Sequence, residues 1–213
     1  NPGLRLDAHG LIWARQHGKA LPWRGAVVWG VPVTPSAGYA VEINALWYNA
    51  VCYMLKLAEE AKDNTFIKEW KDMPELIRTS FVETFWNEET GYLADYVDEK
   101  GQNLDVRPNQ VFACSLTYSP ITDDMKERVL KVVTRELLTP KGLRTSSPKN
   151  PKYHGHYEGN QDERDNAYHQ GTVWPWLIGA YIEANLKLYG KQFLPEAKEL
   201  LEGFEEDMAL YGL

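Results

Sequence analysis

Between Val41 and Lys62, the apolar residues Ile43, Leu46, Trp47, Ala50, Val51, Met54, Leu55 and Ala58 recur at three-and-four spacing. That rhythm marks one face of a long helix. A second helical run is predicted from Asn64 to Trp86, carrying Phe66, Ile67, Trp70, Leu76, Ile77, Phe81 and Phe85, with Pro74 opening a new segment inside it. The two runs suit an antiparallel hairpin. The period then changes to two over Gly91 to Val97, predicting a short strand within a loop, followed by a polar turn from Asp98 to Asn103.

Helical rhythm resumes at Asn109 to Tyr118, entered through Pro108, and again at Ile121 to Leu138, where Thr122 supplies a capping side chain and Pro140 a stop. Residues Lys141 to Gln170 carry almost no helical periodicity, and a structureless loop of that length calls for a reason. A further helix is predicted from Thr172 to Tyr189, ended by Gly190, and a last one from about Leu194 to Leu210. The sum is one all-α domain over residues 1–213, with about six helices in hairpins and almost no strand. An α/α toroid accommodates that order, with inner helix starts and their loops facing a central cavity. A plain helical bundle or solenoid fits the pattern too, and no internal repeat distinguishes them.

Composition narrows the function. The net charge of -7 offers no field for a polyanion, which excludes nucleic acid as a partner. No run of residues is long and apolar enough to cross a membrane. The two cysteines, Cys52 and Cys114, have no paired spacing, so neither a disulfide framework nor a zinc site is indicated, and a reducing cytoplasm is the expected compartment. The chain opens without Met and closes on an apolar stretch, from which a piece of a longer polypeptide is expected. Trp and Tyr number 8 and 12 against 6 Phe. Aromatic side chains with a polar edge can stack on a sugar's C–H face and bond its hydroxyls, although core packing accounts for many of them.

Three helix entrances collect candidate binding residues. The first is Glu42, Asn44, Trp47 and Tyr48, where Glu42 otherwise serves the positive end of the helix dipole. The second is Arg107-Pro108-Asn109-Gln110, whose donors point in fixed directions and whose alternative role is capping and a salt bridge. The third is the long loop from His154 to Gly171, which runs into Thr172-Val173-Trp174-Pro175-Trp176. There Tyr, His and Trp interleave with carboxylates and amides, unlike a loop kept only for solubility. Glu158, Asp162, Glu163 and Asp165 lie too close in sequence to form an opposed catalytic pair, and Arg164 is expected to neutralise two of them. His154, His156, Glu158 and His169 also admit a metal reading, that of a metal-dependent hydrolase, although nothing fixes a complete ligand set.

These segments together resemble the C-terminal glucosidase domain of glycogen debranching enzymes, the amylo-α-1,6-glucosidase family. The resemblance rests on G-V-P-V-T-P (30–35), V-E-I-N-A-L-W-Y-N-A (41–50), G-Y-L-A-D (91–95), V-R-P-N-Q (106–110), L-L-T-P-K-G-L-R-T (137–145) and the whole stretch 153–176. It implies an (α/α)6 toroid that removes, with inversion, the α-1,6-linked glucose at a trimmed branch point of an α-glucan such as glycogen or limit dextrin, with no cofactor. Inversion needs a general acid on the glycosidic oxygen and a base activating water on the opposite face.

Two departures matter. Relatives carry Trp-Met-Asp-Ala just before the G-V-P-V-T-P motif, its Asp being the family's acid, where this chain reads Trp23-Arg24-Gly25-Ala26. The family's base, a Glu in a Ser-Glu segment, follows the last helix seen here, beyond Leu213. The expectation is therefore an incomplete toroid, truncated at both ends, with little glucosidase activity alone and exposed helix faces prone to self-association. Its sugar-binding wall is expected from Glu42, Asn44, Trp47, Arg107, Asn109, Gln110, Glu158, Asn160, Tyr168, His169, Gln170 and Trp174, with Glu42 and Glu158 as substitute acids. A non-catalytic glucan-binding module on the same scaffold is the competing reading.

Overall fold

The computed structural model describes residues 3–14, 27–28, 31–32 and 38–212. Trp23 to Ala26, and with them Gly25, lie outside the described residues, as does most of the G-V-P-V-T-P motif. The chain opens with an antiparallel hairpin, β1 (Leu4–Leu6) and β2 (Ile12–Ala14), followed by a second pair, β3 (Val27–Val28) and β4 (Val31–Pro32). Strand β5 (Tyr39–Ala40) runs directly into α1 (Val41–Ala61), the long helix that the periodicity predicts. Lys62 closes α1 in the left-handed conformation, φ 57°, sending its N–H back to Ala58 and Glu59.

Asp63 then caps α2 (Asn64–Trp70) by accepting from Phe66 N, and α3 (Met73–Phe85) takes Pro74 in its first turn, where the missing N–H costs nothing. Both pack on α1, as the predicted hairpin requires. Strands β6 (Trp86–Asn87), β7 (Tyr92–Leu93), β8 (Tyr96–Asp98) and β9 (Gly101–Asn103) follow, and β8 pairs with both β5 and β9. A 3₁₀ turn over Pro108–Gln110 leads into α4 (Val111–Ser115). Thr122 caps α5 (Asp123–Leu137) through Met125 N.

Three expectations are corrected from here on. Residues 141–170 are not structureless, because β10 (Leu138–Thr139) turns into β11 (Gly142–Arg144), and α6 (Gln161–Tyr168) forms farther along. The helix expected from Thr172 starts later, since β12 (Val173–Trp174) pairs with β11 before α7 (Leu177–Tyr189) begins. That pairing needs Gly142, which sits at φ +133° and where a Cβ would stand 2.5 Å from the Trp174 carbonyl. The last run breaks into α8 (Leu194–Glu202) and α9 (Glu205–Tyr211) around Gly203, whose absent side chain lets it approach the Pro140 carbonyl.

The fold is thus mostly helical. The near absence of strand does not hold, because twelve short strands in five small sheets stitch the loops among the described residues. The core gathers Val41, Ala45, Ile77, Phe81, Phe85, Leu93, Val129, Val133, Leu137, Leu143 and Leu177, all essentially inaccessible. Each large apolar side chain there contributes about 1.5–3 kcal/mol of burial. Helices α1, α4, α5 and α7 surround this centre, and their starts and attached loops bring the candidate residues together.

Candidate functional site

At the first entrance, Val41 N donates to the Asp95 carbonyl at 3.1 Å, tying the start of α1 to the β7–β8 loop. Asn44 is fully buried and spends its amide inside the protein. It accepts from Ile12 N at 2.7 Å and donates to the Ile12 and Ala40 carbonyls, each at 3.0 Å. Trp47 donates its indole N–H to the Gly10 carbonyl at 3.0 Å and sets its ring edge-on against Trp70. Both residues therefore hold the β1–β2 hairpin and α2 onto α1. Glu42 is buried at 2% exposure.

The second entrance is a buried charge network. Arg107, 4% exposed, donates to the Thr145 carbonyl at 3.1 Å, the His169 carbonyl at 2.6 Å and the Gln170 side-chain oxygen at 2.8 Å. Its guanidinium also lies 3.8 Å from Asp95 and 3.7 Å from Asp105. Asn109 donates to Asp95 at 2.7 Å, while Gln110 accepts from Leu93 N and donates to the Arg107 carbonyl. A guanidinium taken out of water requires this density of acceptors.

Asp95 is the residue that joins the three entrances, and it was not among the predicted site residues. Its backbone oxygen receives α1, and its carboxylate receives Asn109 and faces Arg107, which reaches His169 and Gln170. The signal for it was present as the one acid within the apolar alternation from Tyr92 to Val97.

The third entrance divides into a packed base and an open lip. His169 is buried and stacks on Trp174 at 5.7 Å, with Tyr168 edge-on to both at 4.7 and 4.8 Å. Trp174 donates its indole N–H to the Tyr168 carbonyl, and the Gln170 carbonyl accepts from His154 N. Asn160 caps α6 in a reciprocal capping box with Glu163. Gly159 makes room for it, since a Cβ there would stand 2.0 Å from Glu163 Oε2. Arg164 bonds the Gly159 carbonyl and the Gln161 side chain, which corrects the expected neutralisation of neighbouring acids.

Glu158 is exposed, and together with His154, His156, Glu163 and Asn166 it lines an open recess of about 660 Å³. Among the described residues, no group of three or more His, Cys, Asp or Glu side chains could hold a metal ion.

Glu136 at the end of α5 fastens the start of the loop at Ser147 and Lys149. Burial alone would raise its carboxyl, but hydrogen bonds from Arg135, Ser147 and Lys149 outweigh that and bring it to about 2. Ser147 N in turn donates to the Val106 carbonyl beside Arg107. Burial pushes the Cys114 thiol up to about 12, so it is unreactive, and both cysteines are free.

A sequence model of the amylo-alpha-1,6-glucosidase family matches residues 3–211. The chain belongs to that family. It is also 28% identical to the glycogen debranching enzyme of Saccharomyces cerevisiae, in a match covering 73% of this chain and 12% of the yeast protein. The chain therefore spans a small part of that relative's length. In this member of the family, the candidate polar residues divide into buried braces (Asn44, Asp95, Arg107, Asn109, Gln110, Gln170) and a solvent-facing lip around Glu158 and Asn160. Among the described residues, no helix is long and apolar enough to cross a membrane.

Proposed function

We propose that this chain forms part of the glucan-binding wall of a debranching glucosidase domain, an (α/α)6 toroid that hydrolyses α-1,6-linked glucose with inversion. The observation that carries the reading is the Asp95–Arg107 junction, which draws three helix entrances, far apart in sequence, to one place. Arg107, Asn109, Gln110 and Gln170 hold the wall's shape, and Asn44 and Trp47 pack behind it. Tyr168, His169 and Trp174 form its aromatic base, and Glu158 offers a carboxylate to sugar hydroxyls, beside an α6 start that Asn160 holds in place. With Gly25 where relatives carry their acid, Glu42 and Glu158 are the two carboxylates left to protonate the glycosidic oxygen, and hydrolysis by this chain alone is slow.

The test is maltoheptaose binding by calorimetry, alongside glucose release from a branched limit dextrin. Saturable binding with glucose release far below that of a full-length debranching enzyme is expected. Turnover comparable to the full-length enzyme overturns the inactive reading, and no binding at all overturns the wall.

A further inference from the structure

A second cavity of about 900 Å³ lies between α5, α7 and α8, and none of its lining residues belongs to the wall described above. The cavity runs along α7 from Tyr181 to Tyr189, on residues that the wall does not use. The volume falls within the range of small-molecule sites, about 300–1,000 Å³.

Its walls are aliphatic and aromatic. Tyr181 and Phe193 meet edge-to-face at 6.2 Å, and Tyr189 stands exposed at the rim. The polar groups follow a consistent pattern. Thr134 gives its single hydroxyl proton to the Leu130 carbonyl at 2.8 Å, so in the 2.6 Å contact between Thr134 and Tyr181 the phenol must donate. Burial pushes the Tyr181 hydroxyl up from its ordinary value, which keeps that proton in place. Its oxygen is engaged by the Asn185 side chain. Asn185, buried beside it, also donates to the Tyr181 carbonyl and keeps its own oxygen as an acceptor.

On the rim, Lys131 and Arg135 are each held by a neighbouring carboxylate, Glu127 and Glu136, while Glu196 and Glu199 of α8 have no ion pair among the described residues. Aromatic walls with acceptors at floor and lip call for a ligand that is apolar on its faces and rich in hydroxyl donors. With Lys131 and Arg135 already paired, Glu196 and Glu199 leave the rim acidic and present carboxylate acceptors to hydroxyl protons.

We propose that this cavity is an accessory site for an α-glucan chain, taking hexose C–H faces against Tyr189 and Phe193 and hydroxyls at Glu199 and Asn185. The ligand class rests on the function proposed above, while the site itself is separate. Two contacts on one polymer would raise retention on glycogen through effective concentration.

The test is affinity electrophoresis of the chain through glycogen-containing gels, with calorimetry on maltoheptaose. Tyr189→Ala and Glu199→Gln should each weaken retention at least about five-fold with thermal midpoints unchanged, as for truncated contact residues in a binding site. Glu158→Gln should weaken it separately. If both rim variants migrate like the unsubstituted chain while Glu158→Gln is released, the accessory site is wrong and the wall stands. If only the rim variants lose retention, the wall reading fails and the accessory site survives. Retention displaced by spermine and not by maltose overturns the ligand class.

Discussion

The start of α1 and the loop from His154 to Asn160 are built from the same kinds of residue, amides, carboxylates and aromatics, yet they end in opposite states. At α1, Asn44 and Trp47 are consumed by backbone carbonyls and amides of the β1–β2 hairpin. In the loop, Glu158 faces an open recess, and the capping box of Asn160 and Glu163 secures the backbone without closing the surface. A side chain whose hydrogen-bonding groups are already satisfied inside the protein has nothing left to offer a sugar. Residue type announces chemistry; only its partners decide whether that chemistry is available.

The sharpest way to break this contrast is to remove the residue that joins the two regions. Asp95→Ala leaves the Arg107 guanidinium buried with only the partly exposed Asp105 as a carboxylate neighbour, and uncompensated buried charge costs about 3–5 kcal/mol. Urea unfolding should show a loss at the lower end of that range, because Asp105 offsets part of it. A loss under about 1 kcal/mol would mean the junction is not what ties the entrances together.

Next in size is Asn44→Ala, which strands the Ile12 backbone groups. We expect about 1–3 kcal/mol of destabilisation with maltoheptaose affinity unchanged in the folded protein. A selective loss of affinity would return Asn44 to the sugar-contacting set. The smallest effect on stability belongs to Glu158→Gln, within about 0.5 kcal/mol because the site is exposed. Its effect should appear in affinity, about five-fold weaker for one lost charge-assisted contact of about 1 kcal/mol. Unchanged calorimetric affinity would remove Glu158 from the wall.

How much was legible beforehand varied with distance along the chain. Helix α1, the break at Pro74, the Thr122 cap and the stop at Gly190 follow from periodicity and local capping chemistry, which involve residues a few positions apart. The alternation over Gly91 to Val97 announced β7 and β8, but the other short strands were missed because each is two or three residues long, below the length at which alternation can be told from chance. β12 displaced the first turn of the expected helix because Leu143 and Arg144 were waiting thirty residues away to pair with it. Helix α6 carries too few apolar residues to show a face, and its capping box was its only local mark.

The sequence alone determined the family, the mostly helical build and the three segments worth watching, since motifs and periodicity are properties of neighbouring residues. The tertiary structure decided that Asp95 joins those segments, that Asn44 and Trp47 turn inward, and that Glu158 stays exposed. Those outcomes depend on which long-range partner consumes each donor and acceptor, and pairings across tens of residues leave no trace in local order.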